Sequence, residues 1–336
     1  MLKENSQYSW SERLNNVKWI LTLLIVLYHI QLIGEYSSLE GKVFLYIKNL
    51  GDCVVTSFGL ISGFLFFYNV SSYSDIINKM RRRIKTLIIP YFLWNVINSA
   101  FVIVRSYGIR NISTGIKNFN PIRNLVLWDS SPHFWYVFML IFWTLTAPLL
   151  YTFIKDIRLL LVLLSLQLLY FCFKGSEILT SRYIYVLYTW GGIVGVYFPG
   201  LPEKITTIET KRKRIVSILF ISAYILIRFV YNDVTENGVL VWCYGVRSLC
   251  LIIGLMCATP EIIGNKTNYR YMFWLFAVHY WMDSVLTQMI SRLLGGVLVV
   301  QIIVWLSVVL LSMCMGYLVS RVFPGIFKFL VGNRNT

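Results

Sequence analysis

Six ionisable side chains stand inside or at the edge of apolar stretches, where charge is costly: Lys18, His29, Arg228, Arg247, His279 and Asp283. In a membrane segment such groups face a bundle interior, a cavity or a partner. Imidazole titrates near neutrality and is the usual general base. His29, in "KWILTLLIVLYHI" (18–30), is therefore the first catalytic candidate. His279 and Asp283 are four residues apart and share a helix face. The carboxylate could orient that imidazole or hold its protonated form, and Arg228 or Arg247 could equally be the partner of Asp283. Lys18 and His29 are eleven residues apart, about three turns and roughly 16 Å, which returns them to nearly one face. They can line one tunnel, with the lysine near its mouth and the histidine at a reactive end. The structural alternatives are plain: a lysine at a helix mouth anchors at the interface, and buried arginines pair between helices.

The elements that must hold these groups are membrane helices. The chain has 336 residues, 57% hydrophobic and 14% charged, with a mean hydropathy of +0.66; soluble domains carry about 25% charge. An apolar helix crosses the hydrocarbon with roughly 20 residues. Breaks at charged and Pro/Gly-rich positions leave about ten such segments, near 17–34, 49–69, 86–104, 133–153, 158–173, 183–199, 214–231, 239–257, 271–291 and 296–320. The expectation is an all-α integral membrane protein, a single bundle of about ten transmembrane helices with no separate soluble domain. The first segment follows a polar arm with no cleavage signal, so it reads as a retained helix. Helical rise places His29, His279, Asp283, Arg228 and Arg247 in one central-to-outer slab, which suggests a wet, buried site.

The net charge of +16 could suggest nucleic acid. With the N-terminus in the cytoplasm and ten alternating spans, however, most Lys and Arg fall on the cytoplasmic side. They include "KMRRRIK" (79–85), Lys204, "KRKR" (211–214), Lys266, Arg270 and the tail. That is the positive-inside pattern, with both termini cytoplasmic and no nucleic-acid partner implied. Cys243, Cys250 and Cys257 recur every seven residues on one face. No His or carboxylate stands near them at ligand spacing, so they read as packing residues and no metal is expected.

Five stretches together resemble the acyltransferase-3 family, integral-membrane enzymes that O-acylate bacterial surface glycans. Lys18 and His29 fit its first helix, which carries a basic residue ahead of a histidine. "FGLISGFLFFY" (58–68) resembles its Ser-Gly-Phe motif through Ser62, Gly63 and Phe64. "RRRIKTLIIPYFLW" (81–94) is similar to its basic run before an apolar-Pro-aromatic helix, "PHFWYVFML" (132–140) to its His-x-Trp start of the fourth helix, and "WLFAVHYWM" (274–282) to its late histidine segment. The resemblance covers roughly residues 13–320, and all three histidines fall on its motifs. Asn15 and Lys18 depart from the commoner Asp and Arg. Arg82 with Lys85 fits the spacing of the basic pair, and Arg83 with Thr86 is the alternative register.

The resemblance implies a donor, acetyl-CoA or another acyl-CoA, reaching the site from the cytoplasm. It also implies a hydroxyl acceptor on a cell-envelope polysaccharide or its lipid-linked precursor, in a bacterial cytoplasmic membrane. His29 is then the base, or forms a covalent acyl-imidazole, with His279 and Asp283 in the same machinery. Lys18, Arg82, Arg83 and Lys85 are the donor-side candidates. Their run could equally serve topology and anionic membrane lipids. Ser62, His133, Trp135 and Arg247 are the acceptor-side candidates; His133 and Trp135 begin a helix at an aromatic outer mouth, and the outer segment near 105–132 suits acceptor recognition. Gly63 reads as a helix-packing residue. A transporter or flippase for a glycan intermediate or anionic solute could use the same polar slab, but the chain shows no internal repeat of the kind such folds carry. A scaffold with structural charges is the third reading, which a His29→Ala variant separates from an enzyme.

Overall fold

A computed structural model describes residues 10–31, 38–127, 129–174, 180–230, 239–258, 271–294 and 298–332. Among the described residues there are helices and no strands. The helices are α1 (Trp10–His29), α2 (Leu39–Asn49), α3 (Val54–Phe67), α4 (Tyr73–Tyr107), α5 (Ile112–Lys117), α6 (Trp135–Lys155) and α7 (Ile157–Lys174). They continue with α8 (Thr180–Tyr197), α9 (Leu201–Thr207), α10 (Thr210–Val230), α11 (Val239–Ala258), α12 (Met272–Leu294), α13 (Leu298–Val322) and α14 (Pro324–Leu330). A helix runs through each of the ten predicted segments. Among the described residues, four stretches are long and apolar enough to cross a membrane: Leu39–Phe67, Tyr73–Tyr107, Pro132–Lys155 and Leu298–Val322. The ends of the predicted segments at 32–34, 231 and 296–297, and Lys266 and Arg270, lie outside the described residues.

Two boundaries differ from the sequence reading for physical reasons. The third segment was cut at its arginines, yet α4 begins at Tyr73 and carries the whole basic run. Its start is a capping box: Ser72 Oγ accepts from the Asp75 N–H at 3.2 Å and the Asp75 carboxylate accepts from the Ser72 N–H at 2.9 Å. Two orphan donors are satisfied there, so the helix needs no apolar start. Pro90 lies inside α4 without ending it. The second difference is α2, which falls outside all ten segments; Ser38 caps it, accepting from the Gly41 N–H at 3.0 Å. Between α2 and α3 the chain breaks at residues 50–53, and that break carries Asp52.

α1 is the hub, touching α2, α3, α9, α11, α12 and α13. Beside it α3 and α8 meet backbone to backbone. A Cβ on Gly63 would lie 2.0 Å from the Tyr188 carbonyl oxygen, and one on Gly191 would lie 2.0 Å from that of Leu60. Gly63 is thus a packing residue, as its type suggested. The approach sets the position of Ser62 next to it. Gly63→Ala is expected to lower the melting temperature in detergent, at the upper end of the about 1–3 kcal/mol typical of overpacking, because backbone is what must move. A lipid-side control, Leu149→Ala at a 63% exposed position, should shift it little. Equal melting temperatures for Gly63→Ala and wild type would contradict the backbone contact.

Candidate active site

The cavity comes first, because one stripe of α1 builds it. Ser11, Asn15, Lys18, Thr22 and Ile25 line a cavity of about 770 Å³. Their spacing of three and four keeps them on one helix face, and the next step along that stripe is His29. Glu12, Lys18, Ser62, Arg83 and Thr86 make one part of the lining polar. Ile25, Val137, Leu140, Phe273 and Phe276 make another part apolar. Ser62 Oγ lies 3.3 Å from the Tyr136 hydroxyl, and the Ser62 carbonyl accepts from Arg83 Nη1 at 3.3 Å.

Past Phe276 and Ile25 all three histidines come together. The rings of His29 and His279 are 5.2 Å apart and those of His133 and His279 are 5.1 Å apart, centroid to centroid. Phe276, which lines the cavity, is in ring contact with His133 at 5.5 Å and His279 at 5.9 Å. Tyr280 stacks on His133 at 5.3 Å with 21° between planes and meets His29 edge-on at 6.2 Å. His279 and His133 are buried, whereas His29 is half-buried.

Two main-chain carbonyls hold the buried rings in place. His279 Nδ1 lies 2.7 Å from the Phe276 oxygen, and His133 Nε2 lies 3.1 Å from the Ala277 oxygen. A carbonyl can only accept, so those nitrogens carry the hydrogen. His279 Nε2 and His133 Nδ1 are buried and have no hydrogen-bond partner among the described residues.

The predicted residues divide between sites. Lys18, Arg83 and Ser62 line the cavity, while Arg82 and Lys85 are exposed. Adjacent helical residues point about 100° apart, so only one register of the basic run can face inward, and it is Arg83 with Thr86. Arg82 Nε donates instead to the Asn78 carbonyl at 3.4 Å. His133 does not sit at an aromatic outer mouth: its short turn, Pro132–Phe134, tucks it into the histidine cluster. Trp135 is half-buried, edge-on to Tyr136 at 6.3 Å. The segment near 105–132 folds back on α4, with the Tyr91 hydroxyl donating to the Val126 carbonyl at 2.5 Å and Asn98 Nδ2 to Ser131 Oγ at 2.7 Å.

The expected slab separates into parts. Asp283 orients no histidine and pairs with neither arginine. Its Oδ1 accepts from Thr287 Oγ1 at 2.9 Å, and the Gln31 backbone N–H and Lys48 are its other neighbours. Arg228 and Arg247 meet instead on Asp52, at 3.4 and 2.8 Å. Arg247 is 3% exposed, with its guanidinium over the rings of Tyr224 at 5.1 Å and Tyr244 at 5.9 Å. Its surroundings make it a structural ion pair rather than an acceptor contact. Asp52→Ala would leave two arginines unpaired, and breaking a buried pair costs about 3–5 kcal/mol. A large fall in melting temperature is expected. A stable Asp52→Ala variant would contradict the pairing.

Sequence reasoning missed Asp52, Phe276 and Tyr280. The first was a visible signal, an acid at the edge of an apolar segment. The aromatic residues gave none, since rings of the same kind stand on every face of these helices.

No curated protein and no solved structure matches the chain. A family model described as an acyltransferase domain matches residues 11–321, nearly the whole chain. With apolar helices long enough to span a bilayer and a histidine cluster beside an internal cavity, the protein belongs to the acyltransferase-3 family, whose chemistry is acyl transfer.

Proposed function

We propose that the protein is a membrane-bound O-acyltransferase. It moves an acyl group, acetyl in the first instance, from acyl-CoA to a hydroxyl of a cell-envelope polysaccharide or its lipid-linked precursor. The observation that carries this reading is the convergence of His29, His133 and His279 just beyond the apolar part of the cavity. In this reading the ten helical segments all cross the membrane and residues 1–336 form one unit.

The donor side follows from charge. Arg13 donates to the Met256 carbonyl at 3.5 Å, the Tyr68 hydroxyl to Glu203 at 3.1 Å and Lys213 to the Thr206 carbonyl at 2.7 Å. These contacts gather the start of α1, the end of α3, α9, the start of α10 and the end of α11 at one end of the bundle. The basic runs 79–85 and 211–214 lie at that end, and the positive-inside rule makes it cytoplasmic. Both termini are then cytoplasmic. Lys18 and Arg83 also belong to that side of the cavity, whereas Arg82 and Lys85 point outward, where anionic headgroups lie.

The cavity suits acyl-CoA in three respects: cations for phosphate, an apolar lining for the arm, and histidines beyond. When bound, the donor supplies an acyl carbon activated as a thioester. His29 accepts the proton of the acceptor hydroxyl as that oxygen attacks the acyl carbon, and returns a proton to the departing thiolate. His279, held by a carbonyl as His133 is, packs its ring 5.2 Å from that of His29 and 5.1 Å from that of His133. Attack by His29 itself, giving an acyl-imidazole, is the second route to the same product.

The test uses the purified protein in lipid nanodiscs with acetyl-CoA, following free thiol release with and without alkali-de-esterified envelope polysaccharide from the host. Thiol release that rises with the polysaccharide and yields an alkali-labile acetyl ester is the expected result. No release with acetyl-, butyryl- or hexanoyl-CoA would overturn the CoA donor.

A further inference from the structure

Tyr280 is out of place for its setting. It is 37% exposed, whereas on the same helix His279 is 0% exposed, Asp283 2% and Ser284 7%, and Phe276 and Trp281 are half-buried. Its exposure is not lipid exposure. Phe273, Phe276, Tyr280, Ser284 and Thr287 follow one another at steps of three and four, which makes them one face of α12. Phe273 and Phe276 line the cavity, Ser284 accepts from Arg105 of α4, and Thr287 donates to Asp283. That face therefore looks into the bundle. The exposed residues Gln288, Val285 and Met289 lie about 80°, about 140° and about 180° round the helix from Tyr280. One turn separates Tyr280 from Phe276, whose ring closes the cavity against the histidines. Tyr280 is thus reached from the opposite side of the histidine cluster. Its ring is already oriented there, stacked on His133 and edge-on to His29.

We propose that Tyr280 is the platform on which the acceptor's sugar ring docks, approached from the side of the histidine cluster opposite the Phe276-closed cavity. The inference rests on the glycan-acyltransferase reading above. An apolar sugar face lies well on an aromatic ring, and the hydroxyls at the sugar's rim then stand beside His29. An aromatic surface that is rigid before binding orders the acceptor at small entropic cost. Donor and acceptor then approach the histidine cluster from two sides.

The probe is the host's envelope polysaccharide, de-esterified with alkali and fragmented, with its binding to nanodisc-embedded protein measured by thermophoresis. The same preparations are assayed for transfer from labelled acetyl-CoA. Tyr280→Ala should weaken polysaccharide binding by about 10-fold or more, the size of one lost aromatic contact, while the KM for acetyl-CoA stays within about 2-fold. Tyr280→Phe and Tyr280→Trp should restore binding to within about 3-fold, because the ring face and not the hydroxyl is used. Unchanged binding in Tyr280→Ala, or a loss shared by Phe and Trp, would overturn the platform. A rise in the acetyl-CoA KM alone would do so too. Wild-type protein that binds the polysaccharide yet transfers no acetyl would refute the transferase reading while leaving the binding result to decide on Tyr280. Wild-type protein that binds no polysaccharide would overturn both.

Discussion

His29→Ala should lower acyl transfer by about 10²–10⁴-fold, the usual contribution of a positioned general base. The loss should fall on kcat, with the KM for acetyl-CoA nearly unchanged, because His29 does not line the cavity and the donor-side cations stay in place. The fold should survive. His29 ends α1, is half-buried, and its contacts among the described residues are ring contacts with Tyr28, His279 and Tyr280. Melting temperature and membrane level therefore serve as controls. His279→Ala is a different case: it removes a fully buried ring from the centre of the cluster, and a loss of both activity and stability is expected. A His29→Ala protein with full turnover would remove the base from the mechanism.

Arg83→Ala is the second large effect, and it should appear in the opposite parameter. Arg83 is the basic-run residue that lines the cavity, with its guanidinium beside Ser62. A hydrogen bond to a charged group contributes about 1.5–3 kcal/mol, so the KM for acetyl-CoA should rise by about 10- to 100-fold. Arg83→Lys should recover only part, since a lysine cannot repeat the planar fork. Arg82→Ala and Lys85→Ala should each change the KM by less than about 3-fold, the scale of an exposed charge. If Arg82→Ala proves the more damaging, the inward face of α4 has been assigned to the wrong register.

Much of the fold was legible because hydropathy alone marks apolar helices, and the described helices run through the ten segments read from it. What composition could not show was continuity through charge. α4 runs unbroken across Lys79–Lys85 because a capping box fixes its start, and a cut at arginines hides that. Within the site, the stripe through Lys18 was legible from helical period: Ser11, Asn15, Lys18, Thr22 and Ile25 line the cavity, while His29, the next position along that stripe, does not. The partners of that stripe were not. His133 lies in a short turn whose direction no periodicity gives, so its place against His279 emerges only from the tertiary fold. Asp283 shares a helix face with His279, but sharing a face permits a contact without making one, and Thr287 and Gln31 take its oxygens instead. Arg228 and Arg247 were recognisable as buried charges, while their partner lay at a helix break that looked like part of a span.

The most direct measurement is mass spectrometry of the envelope polysaccharide from a deletion strain carrying the native gene, the His29→Ala gene or no gene. An alkali-labile acyl ester should be present with the native gene and absent in the other two, with both proteins at equal membrane levels, and its mass names the acyl group. Identical polysaccharide in all three strains would contradict acylation of this acceptor, and an ester restored in full by His29→Ala would contradict the role of His29.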